Sequence, residues 1–267
     1  MAGPFAGVGG KNQKARSGKI AGKNRPRVTT QRGETLMNMA KPAVQNRQTW
    51  RVIVIGGHTR NIGKTELVCD VIRAFPEENW IAGKITQYGH GVCAKNGESC
   101  GCAPDEHSYA ISWEQSGDTG TDSSRFLAAG AKRSFWLRTK QGFLAEGLPL
   151  LREALSNLDS AGLPDPVLII ESNSLLQFLE PSLYFAVLDS NRDDFKETAR
   201  QVLDRADALV FHNQTPEQPS GQPEWLRWPS QLLRDVPSVR HPEGEPLPLP
   251  LQVMVRRVLE GEPDVKL

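Results

Sequence analysis

The nine residues Gly57-His58-Thr59-Arg60-Asn61-Ile62-Gly63-Lys64-Thr65 end in Gly-Lys-Thr, as a phosphate-binding loop does. In such a loop, successive backbone N–H groups and a helix N-terminus present partial positive charge to a phosphate. Lys64 is then placed to reach the β- and γ-phosphates, and the Thr65 hydroxyl to ligate Mg2+. The common spacing puts the first glycine five positions before the second. That position is His58, and the nearest glycine is Gly57, so the loop is one residue longer than usual.

The flanking sequence supplies the elements this chemistry needs. "WRVIVI" (50–55) is a short apolar run rich in β-branched residues, as a buried parallel strand is. "KTELVCDVIRAF" (64–75) carries Leu67, Val68, Val71, Ile72 and Phe75 at helical spacing, and Pro76 stops it. Strand, glycine-bearing turn and helix together are the context a phosphate loop requires. The nucleotide-contacting stretch is expected to run from Gly57 to Glu66.

Further along, strands and helices alternate. Strands are expected over 79–85, 132–139, 165–172, 182–190 and 207–213, the last closing the sheet. Helices are expected over 122–131, with Asp122 as N-cap, over 143–158, kinked or split at Pro149, and over 193–206. The pattern predicts an α/β fold with a doubly wound, mostly parallel sheet. Ligands of open parallel sheets bind at the carboxyl ends of the strands. Glu171 ends the strand "VLIIE" and is the candidate acid for Mg2+ or its water shell. Lys84 ends the second strand and is either a grip on an anionic substrate or γ-phosphate, or a surface lysine. Asn213 ends the last strand and either reads a nucleobase edge or is a turn residue before Pro216. Arg60 is either a further phosphate contact or a solvated arginine.

"GHTRNIGKT" resembles the variant loop of dethiobiotin synthetase and the cobyrinate amidation enzymes, with five residues between the glycines. The resemblance implies that branch of P-loop NTPases, with a mostly parallel sheet and a homodimer. "GDTGTDSSRFLAAGAKRSFWLRT" (117–139) resembles the segment of molybdopterin-guanine dinucleotide biosynthesis protein B in which an Asp-Ser-x-Arg helix leads into Ala-Gly-Ala and a strand. Here those residues are Asp122, Ser123, Arg125 and Ala129-Gly130-Ala131. The resemblance spans roughly residues 50 to 213. It implies GTP binding, slow hydrolysis, a role in molybdenum cofactor biosynthesis and a partner protein from that process. It also implies that Lys64, Asp122 and Glu171 are catalytic, Asp122 orienting metal-bound water. Arg125 is implied to pair with a phosphate or with Asp122. This sequence departs from that family in its longer loop and in Glu171-Ser172, where the family has Glu-Gly. Two other classes stay open: an ATP-dependent small-molecule ligase or kinase, and a nucleotide-gated metal or cofactor carrier.

"HGVCAKNGESCGCAPDEH" (90–107) gathers Cys93, Cys100 and Cys102 between His90 and His107. Three thiols and a histidine suit a tetrahedral Zn2+ site, and an iron–sulfur cluster would need a further ligand. Unpaired or redox thiols and thiol chemistry on a substrate are the other readings of this insert, which spans 86–121. Cys69 falls in the first helix and reads as a small core residue.

The chain has 267 residues, 32 Lys and Arg against 31 Asp and Glu, and no apolar run near the ~18–20 residues needed to span a bilayer. A cytoplasmic protein without a membrane segment is expected. Residues 1–48 are basic with Glu34 the one acid, and they lack an apolar pattern. They are expected to be a disordered tail, either solvated, a weak tether for an anionic partner, or a stretch ahead of a true start at Met37 or Met39. No aromatic residues interleave with its basic ones, which argues against specific nucleic-acid binding. The nucleotide-binding domain is expected over 49–215. A proline-rich extension with Trp225, Trp228 and a terminal helix over 251–260 follows it, over 216–267.

Overall fold

In a computed structural model of the protein, residues 49–88, 108–158, 165–212, 235–261 and 265–266 are described. The basic tail, the cysteine-rich stretch with His90, Cys93, Cys100, Cys102 and His107, and Asn213, Trp225 and Trp228 lie outside them.

The strands are β1 (Thr49–Gly57), β2 (Trp80–Tyr88), β3 (Tyr109–Trp113), β4 (Arg133–Lys140), β5 (Val167–Glu171), β6 (Leu183–Leu188), β7 (Ala208–Phe211), β8 (Ser238–Arg240) and β9 (Val265–Lys266). The helices are α1 (Lys64–Ala74), α2 (Asp122–Ala128), α3 (Leu144–Ser156), α4 (Glu197–Arg200) and α5 (Leu249–Glu260). The sheet order is β3-β4-β2-β5-β1-β6-β7-β8, with β9 pairing antiparallel to the start of β1. All other pairings are parallel except β3 with β4.

β1 sits centrally between β5 and β6, and Val52 to Ile55 are buried on both faces. A strand with helices above and below must be apolar on both sides, which is why this run is continuous rather than alternating. One face packs Ile53, Ile55 and Ile169 against α1, Phe126 of α2 and Leu251 and Val255 of α5. The other packs Val52, Val54 and Ile170 against Leu144, Leu148, Leu151 and Leu155 of α3. The chain is thus an α/β protein with a mostly parallel sheet, as its alternating pattern predicts.

Several expectations need correction. α3 is not split at Pro149: it runs through the proline as one helix, with Leu144, Leu148, Leu151 and Leu155 buried on both sides of it. Thr121, not Asp122, caps α2: its side chain accepts from the Ser124 N–H at 3.0 Å. The helix expected over 193–206 is only the single turn α4 followed by a 3-10 turn, Leu203–Arg205. Tertiary contacts override the local pattern there: Asp194 and Lys196 bond Thr59 and His58 of the loop after β1, and Val202 leaves helical geometry as Leu203 and Ala206 enter the core. β3 lies inside the stretch read as a polar insert. Tyr109, Ile111 and Trp113 alternate with Ala110 and Ser112, a strand signal too short to stand out there. β7 does not close the sheet. β8 pairs beyond it, in register Leu209↔Ser238 to Phe211↔Arg240. The C-terminal stretch therefore contributes β8, α5 and β9 to the same layers, and the expected terminal helix is α5.

Candidate functional site

The loop joins β1 to α1 at the carboxyl edge of the sheet. Gly63 is the N-cap of α1 with φ +88°, and an added Cβ there would lie 2.2 Å from the His212 ring. Only glycine meets both demands cheaply. Among the described residues no side chain caps α1, so the first-turn N–H groups stay available to an anion. The Gly57 peptide is clamped from the other side. Its N–H donates to Asn173 Oδ1 at 2.8 Å, and its carbonyl accepts from Asn173 Nδ2 at 2.8 Å.

His58 continues the strand pairing, its N–H donating to the Val187 carbonyl at 3.3 Å. It is fully buried, and its carbonyl accepts the Lys196 N–H at 2.8 Å. Thr59 is buried beside it and donates to Asp194. Gly57, His58 and Thr59 thus form the underside of the loop. Arg60 to Glu66 line a cleft of about 630 Å3.

Thr65, Glu171, Lys84 and Asp122 are joined to one another in that cleft. The Thr65 hydroxyl donates to Glu171 Oε2 at 2.7 Å, and Lys84 Nζ donates to Glu171 Oε1 at 3.0 Å. Lys84 also pairs with Asp122. The Lys84 side chain is only 14% exposed, so it is not the surface lysine its position allowed. Asp122 is the first residue of α2, whose N-terminus Glu114 ties down by accepting Thr121 Oγ1 at 2.8 Å and the Ser123 hydroxyl. Lys64 Nζ donates to the Thr59 carbonyl at 2.6 Å. Arg125 lines the cleft but pairs with Glu66, which also takes Arg73 at 3.0 Å; the expected pairing of Arg125 with Asp122 is not formed.

The charges are interdependent. Burial works to raise the Glu171 carboxyl, but Lys84 and then Lys64 outweigh it and hold its pKa below the ordinary value. Burial opposes the Lys84 charge, yet Glu171 and Asp122 keep its pKa above that of a free lysine. Burial depresses Lys64, with Glu171 opposing. At Cys69, burial pushes the thiol up to about 12, which suits the inert core residue expected in α1.

Three contributors escaped the sequence reading. Asn173 was visible as a polar residue after β5, but its clamp on Gly57 needs the β1–β5 adjacency. Lys196 was hidden in a stretch read as helix. His212 follows β7. Its Nε2 lies 3.1 Å from the Gly63 carbonyl and its Nδ1 lies 2.7 Å from the His241 carbonyl. His241 in turn meets Asp70 of α1 at 2.8 Å. Among the described residues no group of three or more His, Cys, Asp or Glu is arranged to hold a metal, and no helix is long and apolar enough to cross a membrane. No protein-family model matches the chain, and no curated protein or solved structure shows significant similarity to it.

Proposed function

We propose that the protein is a P-loop nucleoside triphosphatase that binds and hydrolyses Mg2+-GTP or Mg2+-ATP, of the dethiobiotin-synthetase-like branch. The observation that carries this is the meeting of Thr65 and Glu171, 2.7 Å apart, at the uncapped N-terminus of α1 beside Lys64. A helix N-terminus with a lysine and a hydroxyl in its first turn suits a polyphosphate. The Thr65 hydroxyl and Glu171 carboxylate are hard oxygen donors and fit Mg2+, which needs few protein ligands. When bound, Mg2+ neutralises charge on the phosphate oxygens.

The chain's own groups have distinct tasks in this proposal. The first-turn N–H groups of α1 and Lys64 hold the β- and γ-phosphates. Lys84 keeps Glu171 ionised and oriented, and holds Asp122 at the edge of the cleft, where a carboxylate can orient the attacking water. The double pairing of Lys84 to Asp122 and Glu171 supports this positioning task over a grip on a second substrate, and so favours a hydrolase over the ligase or kinase class. A role in molybdenum cofactor biosynthesis, with GTP as the nucleotide, a partner protein from that process and a homodimer, is proposed on the Asp-Ser-x-Arg resemblance. A Zn2+ or iron–sulfur site at Cys93, Cys100 and Cys102 is a separate proposal. Metal analysis of wild type against Cys100→Ser tests it.

Phosphate release from GTP and ATP, with and without Mg2+, tests the hydrolase assignment. Slow, Mg2+-dependent release without a second substrate is expected. Turnover absent until a metabolite is supplied would move the assignment to the ligase or kinase class.

A further inference from the structure

The segment between β6 and α4 forms a strap against the loop. Three consecutive residues fix it. The Asp194 carboxylate accepts the Thr59 hydroxyl. The Phe195 ring lies 5.2 Å from the His58 ring, tilted by 40°. The Lys196 N–H donates to the His58 carbonyl at 2.8 Å. The strap therefore docks on His58 and Thr59, and Lys196 is set by main-chain geometry.

The Lys196 side chain lines the same cleft as Lys64, Lys84 and Glu171. Among the described residues no carboxylate pairs with its ammonium, whereas Lys84 is held by Asp122 and Glu171. Lys64 and Lys196 are thus two ammonium groups, rooted on different elements, that face one cleft without a partner carboxylate. Burial, and then the charges of Lys64 and Arg60, push Lys196 down to about 8. Glu171 opposes that shift and Lys84 adds to it. Two cations that disfavour one another in this way are relieved by an anion long enough to meet both.

Resting on the nucleotide reading above, we propose that Lys196 is a second phosphate-binding lysine, delivered by the strap, that makes the site favour a triphosphate over a diphosphate. Lys64 serves the phosphates cradled by the loop. Lys196 meets the charge that the third phosphate adds, so its loss falls on the longer polyphosphate.

The test is calorimetric titration of the full chain with GTP, GDP, ATP, ADP, tripolyphosphate and pyrophosphate. Wild type, Lys196→Ala, Lys196→Arg and Lys64→Ala are compared at pH 7 and pH 9. One charge-assisted contact corresponds to about a tenfold loss. Lys196→Ala should therefore weaken the triphosphates and tripolyphosphate about tenfold and leave the diphosphates and pyrophosphate nearly unchanged. Wild-type triphosphate affinity should fall from pH 7 to pH 9 as Lys196 loses its proton. Lys196→Arg, which stays charged, should hold its affinity at pH 7 and show a smaller fall. Equal losses for both phosphate lengths, or no loss, would overturn the Lys196 assignment while Lys64→Ala still weakened binding. Wild type that bound neither nucleotide nor tripolyphosphate would instead bring down the nucleotide reading, and the Lys196 assignment with it.

Discussion

Thr65 and Glu171 meet across the carboxyl edge of the sheet, the hydroxyl of the first α1 turn donating to the last residue of β5 at 2.7 Å. They are 106 positions apart in sequence. The β1–β5 register, in which Ile55 pairs with Glu171, brings them together. If they hold Mg2+, Thr65→Ala should weaken Mg2+-nucleotide binding about tenfold and leave metal-free nucleotide binding nearly unchanged, for the loss of one oxygen ligand. Titration with and without EDTA measures the difference. Equal losses under both conditions would remove Thr65 from the metal site.

Lys84 carries the charge balance of the cleft. Lys84→Met removes the partner of a buried carboxylate, and breaking such a pair costs about 3–5 kcal/mol. Urea denaturation at pH 7 should show a loss of that order. A loss under about 1 kcal/mol would show that Glu171 is satisfied without Lys84.

The acid limb of stability should depend on Glu171. Its folded pKa is depressed, so its contribution is present above the unfolded carboxylate value of about 4.3 and disappears as pH falls through the lower folded value. Glu171→Gln should be less stable than wild type near neutrality and should converge with it in acid. Denaturation midpoints from pH 7 down to pH 3 check this. A gap that stayed constant over that range would contradict the assignment.

Gly63→Ala should destabilise the fold by about 1–3 kcal/mol through left-handed strain. The clash with the His212 ring adds to this. Adding His212→Ala should recover part of the loss, because it removes the ring 2.2 Å from the new Cβ. Chemical denaturation of the two single variants and the double variant reads the coupling. Strict additivity would mean the ring is not the obstacle.

Local chemistry made the loop, β1, α1 and the acid at the end of β5 legible from sequence. Gly63, Lys64 and Thr65 sit where a strand's apolar run gives way to helical spacing, and Glu171 interrupts a run buried on both sides. The partners of those residues were less legible, because they come from register. Nothing near Lys84 in sequence shows that β2 lies beside β5, which sets it opposite Glu171. The strap was misread as helix for a related reason. Its residues have helical composition, but Asp194 and Lys196 spend their bonding on the loop. β8, three residues long, has too little sequence to signal a strand.

The most direct test of the central assignment is the affinity of Lys64→Ala for GTP and ATP in Mg2+, measured by calorimetry on protein shown to be folded by its denaturation profile. The expected result is at least a tenfold loss for whichever nucleotide wild type binds, with a cooperative unfolding transition retained. Unchanged nucleotide affinity in a folded Lys64→Ala protein would contradict the phosphate-loop assignment.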